Sequence, residues 1–346
     1  MQLSAISLFA GAGGLDLGAH QAGFRTICAV ELDRHCASTL RKNLRRSAIW
    51  QVDVRALDPR LAVDALGVKP GTLVLLHGGP PRQPFSQIGK QLGVDDPRGR
   101  LIFEMVRFAE ALRPAAVLIE QVPRFLQANG SRARNMQDVL REQFSAIGYD
   151  YHAGILDATL YGVPQRRKRA IIVCVPAGTR FHFSQPIFRA TPTVGDAIGD
   201  LPPAVPKGEP PLAPNHVVVT PLRDRERISY VPEGGWLSKV LDAPPDIRRR
   251  LTKKDTTKFR RLDRNLPSLT LRCGEALYHP TEDRYLTPRE AARIQGLPDS
   301  HIFVGPLRRR TGTVPDLDQH RQVANAVPPP LAKSAVADIR KALCLG

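Results

Sequence analysis

Cysteine is scarce and scattered in this chain: five residues, Cys28, Cys36, Cys174, Cys273 and Cys344, an odd set with no C-x-x-C pair. The pattern argues against both a disulfide framework and a zinc site, and leaves buried, reduced thiols as the expectation. No metal is expected. Long apolar runs are missing too. None approaches the roughly 20 residues that cross a bilayer, and no basic stretch precedes the short apolar start. A cytoplasmic protein with no signal peptide and no membrane partner is expected. Internal repeats and long low-complexity segments are also absent. Negative charge is in short supply: 33 Asp and Glu face 50 Lys and Arg, a net charge of +17. A field of that sign favours polyanions, nucleic acid foremost.

At 346 residues the chain exceeds a typical single domain, so a large domain with a smaller companion is expected. The first half alternates short apolar runs with amphipathic stretches. Leu3 to Phe9, Thr26 to Glu31, Thr72 to His77, Ala115 to Glu120 and Arg169 to Val175 read as strands. Gly14 to Gly23, Arg34 to Leu44 and Leu101 to Leu112 read as helices. Such alternation predicts an α/β fold with a parallel sheet covered on both faces, and binding sites beyond the carboxyl ends of its strands.

The texture changes near Pro176. From there to about Pro267 prolines crowd in, and "RRRLTKKDTTKFRR" places eight basic residues among the fourteen from Arg248 to Arg261. This reads as a smaller, loop-rich domain carrying much of the positive charge, although charge runs are often merely solvated faces. Order returns at "LTPREAARIQGLPD", where Thr287, Pro288 and Glu290 form a capping-box pattern.

"SLFAGAGGLDLGAHQAGF" follows a strand and opens a helix. Gly11, Gly13 and Gly14 permit a tight turn and close approach of a ligand, and Glu31, about 20 residues on, ends the next strand, where it can accept hydrogen bonds from ribose hydroxyls. Asp16 stands where a dinucleotide fingerprint has its third glycine, which suits a nucleoside cofactor without a pyrophosphate. Asp53, in "QVDV", reads either as a contact to an adenine edge or as a loop cap.

Six segments in order then carry a resemblance: Phe9 to Gly14, "GGPPRQPFS", "EQV" at Glu120 to Val122, "QRRKR" at Gln165 to Arg169, "LTPREAARIQGLPD" and "QVANAVPPPLA". Together they resemble the cytosine-5 DNA methyltransferases across nearly the whole chain. The resemblance implies an S-adenosylmethionine-dependent methyltransferase (Rossmann-like) fold with a mostly parallel sheet and a smaller target-recognition domain. Residues 1–185 would bind cofactor and catalyse, 186–268 would read duplex DNA, and 269–346 would supply a hinge helix and a segment completing the catalytic domain. Phe9, Ala10, Gly11, Gly13, Gly14, Leu15, Glu31, Leu32, Asp53, Val54, Pro81, Leu101, Asn325 and Ala326 would line the S-adenosyl-L-methionine site, with Pro80 and Pro81 shaping the loop where cofactor and base meet. Ser86, Gln87, Arg248, Arg249, Arg250, Lys253, Lys254, Lys258, Arg260 and Arg261 would meet DNA. A restriction–modification context, with a cognate endonuclease as genetic partner and a monomer as the working form, follows from the same resemblance.

The family's chemistry adds a cysteine thiolate to carbon 6 of a flipped cytosine, so that carbon 5 can attack the methyl sulfonium. By the resemblance Glu120 is the carboxylate at the pyrimidine edge, with Gln121 in place of the usual Asn. Gln165, Arg167 and Arg169 match Q-x-R-x-R, whose arginines would hold the base and help position Glu120; a surface basic patch is the other reading of "QRRKR". Arg82 occupies the cysteine's place. A guanidinium stays protonated and has no electron pair to offer. Three readings follow: a carbon-5 methyltransferase disabled by Arg82, a methyltransferase acting on the exocyclic amine of cytosine, which needs no thiolate, or a DNA-binding module.

Overall fold

Aliphatic-rich runs in the first half, with one more polar segment, become the strands of one sheet: β1 Leu3–Leu8, β2 Phe24–Val30, β3 Ala48–Trp50, β4 Leu75–Gly78, β5 Ala116–Gln121, β6 Tyr149–Asp157 and β7 Lys168–Pro176. The helices are α1 Gly14–Gln21, α2 Arg34–Asn43, α3 Pro59–Leu66, α4 Glu104–Leu112, α5 Arg124–Gln127, α6 Met136–Ala146, α7 Val194–Ile198, α8 Leu222–Ser229, α9 Pro245–Arg248, α10 Pro288–Ile294, α11 Gln319–Asn325 and α12 Pro329–Ala342. The computed structural model describes residues 3–81, 99–127, 136–186, 190–237, 240, 242–248, 259–273, 277–307 and 316–345. Arg82, Ser86, Gln87, Arg249, Arg250, Lys253, Lys254 and Lys258 lie outside the described residues, as does the side chain of Arg248.

The strand order is β3-β2-β1-β4-β5-β7-β6. The pairs from β3 through β5 are parallel, and β7 runs antiparallel to both neighbours. All six residues of β5 are buried, as a strand covered on both faces requires. β6 was not legible as a strand because its polar, alternating sequence lies at the sheet edge and buries little. The predicted helix from Leu101 starts instead as a 3₁₀ turn, Gly99–Phe103, and becomes α-helical at Glu104.

The chain forms two compact units. The first comprises Met1–Asp157, Lys168–Pro186 and Val327–Gly346; the second comprises Ala158–Arg167 and Ile187–Ala326. Residues 269–326, which the sequence grouped with the catalytic domain, therefore belong with the second unit, and only the segment bearing α12 returns to the first. The reason is local packing: α10 meets α7 and α11, whereas α12 lies on α1, where a Cβ added at Gly18 would stand 2.8 Å from both the Pro329 carbonyl oxygen and the Lys333 amide nitrogen. Only glycine permits that approach.

The second unit has little regular structure, so side chains satisfy its backbone. Arg289, fully buried, donates to the carbonyls of Pro214, Pro298 and His301. The capping box forms as predicted, with Thr287 accepting from the Glu290 amide and Glu290 accepting from the Thr287 amide. A separate apolar cluster, Ile228, Val231, Leu237, Ala243, Ile247, Tyr278 and Tyr285, forms a core of its own.

Candidate active site

The order of the parallel strands reverses between β1 and β4, and ligands of open α/β sheets bind in the crevice at such a switch point. The segments after β1, β2, β4 and β5 all leave the sheet at that carboxyl edge. After β1 the backbone turns sharply. Phe9 takes φ 52°, a left-handed value that is strained for a bulky residue, and Gly11 and Gly13 follow at φ 57° and 84°. Gly13 caps α1 without any side-chain partner, so the helix N-terminus offers backbone donors to an anionic group. A Cβ placed on Gly11 would meet nothing within 4 Å.

Glu31 closes this turn from below. Its carboxylate accepts from the Gly11 amide at 2.7 Å and from the Asp33 amide at 2.8 Å. Burial nevertheless pushes the carboxyl above its ordinary range, the two amides opposing the shift. Leu32, beside it, is 64% exposed. An open glycine turn, uncapped helix donors, an acceptor at the strand end and a bare leucine fit a ligand that combines an anionic group, ribose hydroxyls and a flat ring. Ala10, Gly14 and Leu15 sit in the same turn, the last two buried. Asp53 caps a 3₁₀ turn and binds the Arg55 guanidinium, Oδ2 to Nη2 at 2.6 Å, and that contact holds its carboxyl below the usual range. The structure thus gives its loop-capping role. Val54 is buried in the core, and Leu101 packs partly buried against the same cluster.

Beneath the turn lies a polar group that the sequence did not announce. Asp16, fully buried, accepts from Ser7 Oγ at 3.2 Å and Thr26 Oγ1 at 2.9 Å, and its Oδ1 stands 3.7 Å from Nε2 of His77. Burial pushes the His77 imidazole below its ordinary range, against the pull of Asp16. Asp16 is therefore not a missing glycine but an anchor tying α1 to β1 and β2.

The second half of the site begins where β4 ends. Gly79, Pro80 and Pro81 lead to position 82, and the buried Gln121 carboxamide donates to the Pro80 carbonyl at 2.9 Å. Glu120, fully buried on β5, is 2.8 Å from Nε of Arg169 on the antiparallel β7. A Cβ on Gly79 would come 3.6 Å from Glu120 Oε2, so the loop and the carboxylate are neighbours.

"QRRKR" is not a surface patch. Gln165, Arg167 and Arg169 are buried, while Arg166 and Lys168 are exposed. In the second unit, Arg167 is 1% exposed and donates to the carbonyls of Leu271 at 3.0 Å and Ala324 at 2.7 Å, with a longer contact to Ala326 at 3.3 Å. Gln165 donates to Gln295 Oε1 at 2.6 Å and accepts from the Leu271 amide at 3.1 Å. The two matched arginines therefore divide: Arg169 meets the candidate catalytic carboxylate, and Arg167 clasps backbone. Asn325, exposed at the end of α11, accepts from the Cys273 thiol at 2.9 Å, and the Ala326 carbonyl accepts from Gln295.

Cys28, Cys36 and Cys174 are buried, but Cys273 and Cys344 are exposed, against the expectation from sequence. Burial, with the Asp16 charge, pushes the Cys28 thiol up to about 12, and burial raises Cys174 further. Neither is a nucleophile near neutral pH. Among the described residues no helix is long and apolar enough to cross a membrane, and no group of His, Cys, Asp or Glu could hold a metal ion.

Comparison with known proteins agrees with this geometry. The family model for C-5 cytosine-specific DNA methylases matches residues 3–341. The type II methyltransferase M1.HphI of Haemophilus parahaemolyticus is 33% identical, over 99% of this chain and 87% of its own. M.Eco47II of Escherichia coli is 35% identical, over 93% and 75%. Among solved structures, a protein described as a DNA modification methyltransferase encoded within an E. coli prophage superposes with TM-score 0.75 at 26% identity over 99% of each chain. Spodoptera frugiperda DNMT2, at TM-score 0.60 and 15% identity over 99% of each chain, shares the fold. A Rossmann-like sheet with Glu120 and Arg169 at its carboxyl edge, and a family match running almost end to end, lead to one assignment: the chain belongs to the C-5 cytosine-specific DNA methylase family.

Proposed function

We propose that the chain binds S-adenosylmethionine and duplex DNA, accepts a cytosine turned out of the helix, and transfers a methyl group to carbon 5 only very slowly or not at all, because Arg82 stands in the nucleophile's place. The observation that carries this reading is the buried Glu120–Arg169 pair beside the Gly79–Pro81 loop, which leads straight into position 82. When bound, S-adenosylmethionine supplies an electrophilic methyl on a sulfonium. Glu31 would hold its ribose hydroxyls, the α1 N-terminus its carboxylate, and Leu32 one face of its ring.

Glu120 would meet the pyrimidine edge, and Arg169 would keep its carboxylate oriented. Gln121 fixes the Pro80 carbonyl, so the loop carrying position 82 is pinned at its start. Carbon 5 is a poor nucleophile until a thiolate adds to carbon 6, and an arginine cannot donate that electron pair. The second unit would read the target. The relatives named as type II methyltransferases support a restriction–modification setting with an endonuclease as genetic partner, and a monomer is the working form.

The test is nucleoside mass spectrometry, with chromatographic separation of isomers, on mixed-sequence DNA incubated with S-adenosylmethionine and either the chain as it stands or its Arg82→Cys variant. 5-Methylcytosine from the variant alone is expected. 4-Methylcytosine from the unaltered chain would overturn this reading, since Arg82 would then belong to a working site. Salt-dependent DNA binding indifferent to the cofactor, with neither product formed, would point to a binding module instead.

A further inference from the structure

Two adjacent arginines of the second unit, both expected to meet DNA, stand in opposite circumstances. Arg261 is 8% exposed, donates to the Ile228 carbonyl at 2.8 Å and pairs with Asp283. Its Nη2 is committed within the protein by both contacts. Arg260 has no carboxylate and no hydrogen-bond partner for its side chain among the described residues. Its guanidinium lies over the indole of Trp236, with Cζ 4.5 Å from the ring centroid. Nε is buried and unpartnered, and the residue as a whole is only half-buried.

The backbone holds this arrangement from both sides. Trp236 and Arg260 face each other across an antiparallel bridge. The Arg261 amide donates to Gly235 at 3.0 Å, the Leu237 amide to Phe259 at 3.2 Å, and the Tyr278 amide to Arg260 at 2.8 Å. Phe259 is held at φ 61°, left-handed and strained for its size. Beneath lie the rings of Tyr278 and Tyr285, 5.6 Å apart and almost fully buried. A flexible charge suffices to neutralise a phosphate. A planar guanidinium held over an indole has less freedom to lose than a flexible charge, and its fork suits a ligand presenting two acceptors in one plane.

We propose that Arg260, seated on Trp236, reads a guanine of the target sequence through O6 and N7 in the major groove, the commonest base-specific contact an arginine makes. Arg261 is the structural neighbour that anchors the segment. The proposal rests on the reading of the second unit as the DNA-recognition part.

The experiment is selection of binding sites from randomised duplex DNA by the full chain in the presence of S-adenosylmethionine, repeated with Arg260→Ala and Arg260→Lys. Arg260→Lys keeps the charge over the indole and guards against loss of fold, which circular dichroism checks for both variants. The expected result is a selected motif with an invariant G·C pair that both variants relax at that one position. Replacing that guanine by 7-deazaguanine should weaken binding of the unaltered chain about tenfold and leave Arg260→Ala unaffected. An unchanged motif in both variants, with uniformly lower affinity and a shallower salt dependence, would make Arg260 a phosphate contact and overturn the proposal alone. If the unaltered chain binds DNA but selects no motif, both this proposal and the recognition role of the second unit fail.

Discussion

Replacing Arg167 by methionine removes a guanidinium from a site that is 1% exposed while keeping much of its volume. The substitution strands the carbonyls of Ala324 and Leu271, which lose bonds of 2.7 and 3.0 Å. Hydrogen bonds from charged donors contribute about 1.5–3 kcal/mol each, so the loss should be about 4 kcal/mol, with the weaker contacts to Gln165 and Ala326 adding little. Domains are stable by roughly 5–15 kcal/mol, which puts the variant close to the threshold. The chain's two tryptophans separate the units conveniently. Trp50 lies on β3 and Trp236 in the second unit, so in a Trp50→Phe background the remaining fluorescence reports the unit that contains Arg167. With a urea dependence of about 2 kcal/mol/M, the midpoint should fall by about 2 M. Arg167→Lys should recover only part of this, since an ammonium lacks the fork that spans two carbonyls. An unmoved midpoint in Arg167→Met would refute the clasp, and the base-holding role implied by family resemblance would be the better account.

Glu31→Gln should weaken S-adenosylmethionine binding at least tenfold by calorimetry, because the amide presents a donor where Gly11 and Asp33 both donate; unchanged affinity would remove Glu31 from the cofactor site. Acid should destabilise the second unit in two stages, followed by Trp236 fluorescence. Burial holds His216 and His279 below 6.5, so the unfolded chain takes up protons first and stability declines as pH falls from about 6.5. Glu290, which burial alone would raise, is held below 4.5 by Arg284, so its contribution is present above 4.5 and is lost as pH falls through its folded value; a flat profile between pH 7 and 5 would contradict the histidine stage. Gly18→Val should separate α12 from α1 and cost about 1–3 kcal/mol or more by overpacking, with proteolysis cutting first near Val327; a resistant variant would show that the helices can shift apart at no cost.

Several features of both units were legible because their signals are local. The glycine turn, Glu31 at the end of β2 and the Thr287–Glu290 box depend on neighbours within one or two turns of chain, and each stands where the sequence put it. Long-range burial was not legible. "QRRKR" looks uniformly basic, and only the fold shows that alternate residues point inward, with Arg167 and Arg169 set to different tasks. Asp16 looked like a departure from a fingerprint, because the hydroxyls that satisfy it come from two other strands. Arg260 and Arg261 look alike in sequence, but an indole under one and an aspartate beside the other give them different donors to offer. That residues 269–326 pack with α7 was not legible either, because the contacts of α10 with α7 and α11 leave no compositional mark.

The α1–α12 contact also has a history within each molecule. Arg340 reaches the carbonyl of Ala22 across 318 residues of sequence. At about 5–20 residues per second, a ribosome takes on the order of 20–60 s to make the chain between them. For that interval the glycine-lined face of α1 emerges into the cell with nothing to cover it, while the whole second unit is synthesised. A newborn chain must therefore hold its glycine turn half-supported until α12 arrives, and a message that stops before α12 should yield a product more vulnerable to proteases than its missing length suggests.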